Sequence, residues 1–149
     1  MTSATEIIPC MWVGPAKAAQ DLAFLRSAGI HAVVNCTREL PFADCDTVKT
    51  RYRLAVDDNG DRSQVEIMIR EAPALALSVL EHIQKGEPVL IHCSAGRQRS
   101  AALAAITLMK LNKISAEEAM STIRAARPEA FFPQANFAAA IIPSTKATQ

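Results

Sequence analysis

Cys93 and Arg99 are separated by five residues within Val89–Ser100 (VLIHCSAGRQRS), with Gly96 between them and Ser100 immediately after. A cysteine at a helix N-terminus, ringed by backbone N–H groups and close to an arginine, ionises to a thiolate, the nucleophilic form. The amides of Ser94, Ala95, Gly96, Arg97, Gln98 and Arg99, curled around a common centre, would bind three non-bridging phosphate oxygens, and the planar Arg99 fork would add a two-pronged contact. Gly96 supplies the backbone freedom that such a curl needs. Attack of sulfur on phosphorus then makes a phosphocysteine and divides one difficult displacement into two easier ones, with no metal and no cofactor required.

A leaving oxygen needs a proton. Asp57 and Asp58 open an acidic, glycine-bearing run, DDNGD, directly after the strand-like Tyr52–Val56. If that strand neighbours the Val89 strand in a parallel sheet, the run falls at the carboxyl edge, where ligands bind in α/β folds. One of the two carboxylates is then the general acid, returning as the base that activates water in the second step. Ser100 is placed to hydrogen-bond the sulfur as it leaves. His92 reads as orienting the loop and not as a proton carrier, since its side chain should point away from the cavity. Arg97 divides evenly between a surface cation and a contact to substrate.

Such a loop needs a strand to enter it and a helix to leave it. Val89–His92 is a short apolar run typical of a buried strand, and Leu103, Ala104, Ile106, Thr107, Leu108 and Leu111 sustain a helix that is apolar nearly all round. Ahead of them, Ile7–Val13 predicts a short edge strand or hairpin around Pro9, Ala16–Ser27 an amphipathic helix stopped by Gly29, and Ile30–Cys36 an interior strand with Asn35 at its end. Thr37–Thr50 has no clear period and reads as a loop. Ser63 with Glu66 predicts the start of a long helix that Pro73 must kink or divide and Gly86 ends. A second capping box, Ser115 with Glu118, starts a helix from Ala116 to about Ala126, stopped by Pro128; a last short helix runs from Pro133 to Ile142. Met1–Ala4 reads as a frayed leader and the Ser144–Lys146 tail as mobile. Strands alternating with helices indicate a single α/β domain over residues 1–149, with a core over about 7–142. Its twisted central sheet has four to five mostly parallel strands flanked by helices, with a helical part at the C-terminus.

The net charge of +1 argues against a broad basic surface, so no nucleic-acid partner is expected. No run of about 18 apolar residues and no signal-peptide pattern is present, which predicts a soluble cytoplasmic protein without stable membrane association. The four cysteines, Cys10, Cys36, Cys45 and Cys93, are irregularly spaced and are expected to be reduced thiols. Cys36 and Cys45 read first as buried small apolar residues, with trapping of an oxidised Cys93 as a disulfide the alternative. His31 and His82 have no partners at ligand spacing along the chain, so no function is assigned to them.

His-Cys-x-x-Gly-x-x-Arg-Ser, residues 92–100, resembles the signature of cysteine-dependent protein tyrosine phosphatases, and the surrounding chain is similar to the small dual-specificity phosphatase domain. The run IIPCMWVG from Ile7 is similar to that family's opening strand pair, and the strand ending in Asn35 to one whose asparagine supports the catalytic loop. The run LAVDDN from Leu54 is similar to the general-acid loop, in which the resemblance favours Asp58 over Asp57. Ile123–Pro128 and Phe137 resemble the family's C-terminal pattern. The resemblance implies hydrolysis of phosphomonoesters on phosphotyrosine, phosphoserine or phosphothreonine proteins. Arg97 resembles a basic loop position of phosphoinositide and inositol-phosphate phosphatases, which makes those substrates the alternative, with RNA 5′-triphosphate a third. A phosphate-recognition module without turnover is the reading from another class, and the intact Cys93, Arg99 and aspartates speak against it. The family's phosphotyrosine-binding insertions are not visible, which predicts a shallow or wide site.

Overall fold

The computed structural model describes residues 3–142; the Ser144–Lys146 tail lies outside them. β1 (Thr5–Ile8) and β2 (Met11–Gly14) form an antiparallel hairpin whose turn carries Pro9 and Cys10. Three further strands, β3 (Ala32–Asn35), β4 (Thr50–Arg53) and β5 (Val89–His92), complete a five-stranded sheet in the order β1-β2-β5-β3-β4. Every pairing except β1–β2 is parallel, as expected for an α/β chain. β4 does not neighbour β5; the fully buried β3 lies between them, beside the equally buried β5 at the sheet's centre. The acidic run reaches the site by a different route. Leu54 donates its N–H to the Asn35 carbonyl at 2.9 Å, and the chain then turns across the carboxyl edge of the sheet.

Side chains on successive strand residues point to opposite faces. Ala32, Val34, Val89 and Ile91 join the larger core, beneath α3 (Arg62–Gln84), α4 (Arg99–Asn112) and α5 (Ala116–Ala126). Val33 and Leu90 join the smaller core on the other face, with Phe24, Leu25 and Ile30. The helix expected over Ala16–Ser27 is two helices, α1 (Ala16–Ala19) and α2 (Leu22–Ser27). Asp21 divides them: its carboxylate accepts the Phe24 N–H at 3.1 Å and restarts the chain as an N-cap.

α3 starts one residue before Ser63, since Asp61 rather than Ser63 is the cap, accepting the Ser63 N–H at 3.2 Å. Pro73 does not divide it. Met68, Ala72, Ala76 and Val79 are buried on both sides of the proline, and that packing outweighs the one hydrogen bond proline removes. The capping box at Ser115 and Glu118 is present as expected. α4 is buried at every position from Arg99 to Met109, which places its N-terminus in the middle of the molecule. Helical residues after Pro133 begin only at 138, because residues 134–136 are held by the loop before α4. The leader is not frayed at Ser3, whose carbonyl accepts a hydrogen bond from Arg127 at 2.7 Å. Among the described residues no helix is long and apolar enough to cross a membrane.

Candidate active site

β5 delivers His92 to the edge of the sheet and α4 begins at Arg99, so residues 93–98 curl between a strand end and a buried helix N-terminus. Gln98 occupies the N-cap position without capping. Its side chain instead donates to the Gln134 carbonyl at 2.8 Å and accepts the Asn136 N–H at 2.9 Å, tying the segment beyond α5 to the loop. The positive end of α4 is thereby left to an external anion.

Two braces hold the curl. On one side Cys93 donates its N–H to the Gly14 carbonyl at 3.4 Å, and Ala16 donates to the Ser94 carbonyl at 3.0 Å. On the other the buried Arg127 guanidinium donates to the Gly96 carbonyl at 2.8 Å, the Ala95 carbonyl at 3.3 Å, the Ser3 carbonyl and the Thr5 hydroxyl. Burial pulls this guanidinium's pKa below its usual value, against which Glu129, 3.5 Å away, works. Gly96 sits at φ 70°, and a Cβ there would lie 2.6 Å from the Gly14 carbonyl carbon and 2.7 Å from Arg127 Nη2. Both its backbone angle and its surroundings demand glycine. Phe131 donates to the Arg97 carbonyl at 2.8 Å from a backbone at φ 61°, a strained conformation for a bulky residue, at the point where its segment closes on the loop.

Cys93 is buried with its Sγ 3.1 Å from the Ser100 hydroxyl. Arg99 donates from Nη1 to the Val56 carbonyl at 3.0 Å, while its buried Nε has no partner among the described residues. A buried charged donor left unpaired costs at least about 1–3 kcal/mol, which an oxyanion in the loop would recover. Burial pushes the His92 pKa down to about 4, so the ring is neutral, and its Nδ1 is 3.3 Å from the Cys93 carbonyl. With that nitrogen protonated the ring donates to the carbonyl, an orienting contact.

Cys93 and Arg99 share a cavity of about 330 Å³ with Ser94, Ala95, Arg97, Gln98, Asp58, Phe132, Pro133 and Asn136. Asp58 is positioned by Asn136, whose Nδ2 donates to Oδ1 at 3.0 Å. Asp57 does not line the cavity: its carboxylate pairs with Arg38 at 2.9 Å and its N–H with Gln64. Arg97 is exposed on the cavity wall and has no carboxylate partner among the described residues. Asn35 is buried, but its side chain does not hold residues 93–99. It donates to the Leu40 carbonyl at 2.8 Å and accepts from Thr37, fixing the connection after β3, because the ladder to β5 ends at the Asn35–His92 pair. Cys36 and Cys45 are buried, and burial, followed by the neighbouring Cys93, pushes the Cys36 thiol well up.

The roles of Arg127, the Gln98 side chain, Asn136 and Phe132 at the site escaped the sequence reading, although Arg127 falls within the Ile123–Pro128 resemblance. Their partners lie 30 or more residues away, and a position such as Arg127, at a helix end before proline, carries no local sign of burial.

Residues 11–146 match the family described as dual specificity phosphatase, catalytic domain. Human dual specificity protein phosphatase 12 is 31% identical over 126 residues, 84% of this chain, and mouse dual specificity phosphatase 28 is 28% identical over 125 residues. The chain spans 36% of the former's length and 74% of the latter's. A crystal structure of a mouse dual specificity phosphatase complexed with zinc tungstate superposes with a TM-score of 0.87 and 26% identity, covering 100% of this chain and 90% of that one. With a cysteine, an arginine and an aspartate converging on one cavity, and a family match that spans all three, the chain belongs to the dual specificity phosphatase family and carries its cysteine-dependent catalytic domain.

Proposed function

We propose that the protein hydrolyses phosphomonoesters on phosphorylated proteins, with Cys93 as nucleophile, Arg99 and the loop amides as phosphate binders, and Asp58 as the acid and base. The carrying observation is the unpaired Nε of Arg99, buried beside Cys93 in a cavity that Asp58 lines. Phosphate oxygens take that donor and the N–H groups at the start of α4. The Cys93 sulfur forms a bond to phosphorus as the bond to the leaving oxygen breaks, and Asp58 gives that oxygen its proton. Asp58, now ionised, takes a proton from water, whose oxygen attacks phosphorus. The sulfur leaves as thiolate with the Ser100 hydroxyl, 3.1 Å away, donating to it. The products are the dephosphorylated hydroxyl and inorganic phosphate.

Phe132, 64% exposed on the rim, offers an aromatic surface to the group that carries the phosphate. That favours an aryl ester such as phosphotyrosine. Rates on phosphotyrosine and phosphoserine peptides, inositol phosphates, phosphoinositides and triphosphate-ended RNA test the substrate class. Cys93→Ser should abolish turnover, and Asp58→Asn should lower kcat about 10²-fold. Asp57→Asn should stay near the parent rate. Full activity of Asp58→Asn would refute the acid assignment, and faster turnover of inositol phosphates than of any peptide would refute the substrate class.

A further inference from the structure

His31 and His82 are far apart in the chain, but the fold brings them together with Glu87. His31 precedes β3, His82 lies in the last turn of α3, and Glu87 sits in the turn before β5. One donor atom from each lies within 4.8 Å of the others. The Glu87 carboxylate is shared: Oε1 is 2.8 Å from His82 Nδ1 and Oε2 is 3.4 Å from His31 Nε2. The two imidazole centroids are 5.6 Å apart.

We infer that His31, His82 and Glu87 form a zinc site, with solvent as the fourth ligand, on the edge of the sheet opposite the phosphate loop. Two imidazoles and one carboxylate are a donor set that divalent zinc prefers, and bond lengths of about 2.0–2.2 Å place tetrahedral donors roughly 3.3 Å apart. The Glu87 oxygens stand 2.8 Å from His82 Nδ1 and 3.4 Å from His31 Nε2, and one donor atom of each residue lies within 4.8 Å of the others, so a modest contraction reaches that spacing. His31 and Glu87 side chains are each 30% exposed and His82 is 13% exposed, which leaves an entry path and room for water.

The surroundings fit an imidazole bound to metal. His82 Nε2 is 2.8 Å from the hydroxyl of Tyr52, the chain's one tyrosine. Without metal, Nδ1–H donates to Glu87 and Nε2 accepts the Tyr52 proton. With zinc on Nδ1, the ring carries its proton on Nε2 and donates it to Tyr52. A ligating histidine whose other nitrogen is held in this way is oriented and made more basic. The neighbouring cation does not compete, because Lys85 is 3.2 Å from Glu81 and paired with it.

Zinc here ties the end of α3, the entry to β3 and the turn before β5. Four residues of β5, about 13 Å of strand, separate this edge from Cys93. The site therefore acts on stability and not on the reacting atoms, and it stands independently of the proposed phosphatase mechanism.

The test uses the Cys93→Ser protein, so that the loop thiol cannot take the metal. Zinc chloride titrated by calorimetry should bind at one equivalent and raise Tm. His31→Asn and Glu87→Gln, both at partly exposed positions, should each weaken binding at least about tenfold, and Tyr52→Phe should weaken it about tenfold, with circular dichroism unchanged. Cobalt should give the visible bands of a tetrahedral nitrogen and oxygen site. A thiolate-to-cobalt charge-transfer band, absence of zinc binding, or binding untouched by both His31→Asn and Glu87→Gln would overturn the assignment.

Discussion

Lowering the pH from 7 to 4.5 should cost the folded protein about 2 kcal/mol through His92 alone. His92 is 1% exposed, its Nε2 has no partner among the described residues, and burial holds its pKa at about 4 against an ordinary value of 6.5. The unfolded chain binds a proton on this ring below about 6.5, whereas the folded protein does so only below about 4. Between those values the unfolded state holds more protons, so stability falls as pH falls, and the full difference of about 2.5 units corresponds to about 3 kcal/mol. The perturbation that isolates this is His92→Phe, which keeps a ring of similar size and removes the titration. Urea unfolding followed by the fluorescence of Trp12, the sole tryptophan, should be run on both proteins at each pH. The variant's own packing cost appears equally at both pH values and cancels. The parent should lose about 2 kcal/mol more than His92→Phe on acidification. Equal losses would show that His92 is not buried as a neutral ring, and the account of how it orients the Cys93 carbonyl would fall with it.

Arg127→Lys keeps the charge but cannot reach two loop carbonyls, Ser3 and Thr5 together; it should lower stability by about 2 kcal/mol or more and kcat/KM about tenfold, read by urea unfolding and steady-state assays. Gly96→Ala forces a Cβ to within 2.6–2.8 Å of Gly14 and Arg127 and should cost about 10²-fold in kcat/KM. Gly60→Ala is its control: φ there is also positive, 77°, but nothing lies within 4 Å, so it should cost only about 1 kcal/mol and leave the rate intact. Arg38→Ala removes a partly exposed pair with Asp57 and should change stability by less than about 1 kcal/mol with kcat unchanged.

The chemistry proposed for this protein is local in sequence. Cys93, Gly96, Arg99 and Ser100 lie on consecutive turns of one strand–loop–helix, so their spacing alone specifies a thiol, an anion cradle and a cation in one place. The alternation of apolar strands with helices specified the sheet in the same way, since burial on a period of two or near four residues is written into neighbouring positions. Features that depend on contacts between distant segments were not legible. The order of strands put β3 between β4 and β5, and only the crossing of Leu54–Asp58 over the sheet edge brings Asp58 into the cavity while leaving Asp57 to Arg38. Asn35 fixes the connection after β3 rather than the loop, and Arg127, a residue outside the motif, holds the loop's carbonyls. The same is true of the edge opposite the phosphate loop, where His31, His82 and Glu87 meet. Sequence spacing determines which groups a single turn can gather, whereas the tertiary structure decides which carboxylate, which guanidinium and which imidazoles are folded against them, because those distances are set by packing across the sheet and not along the chain.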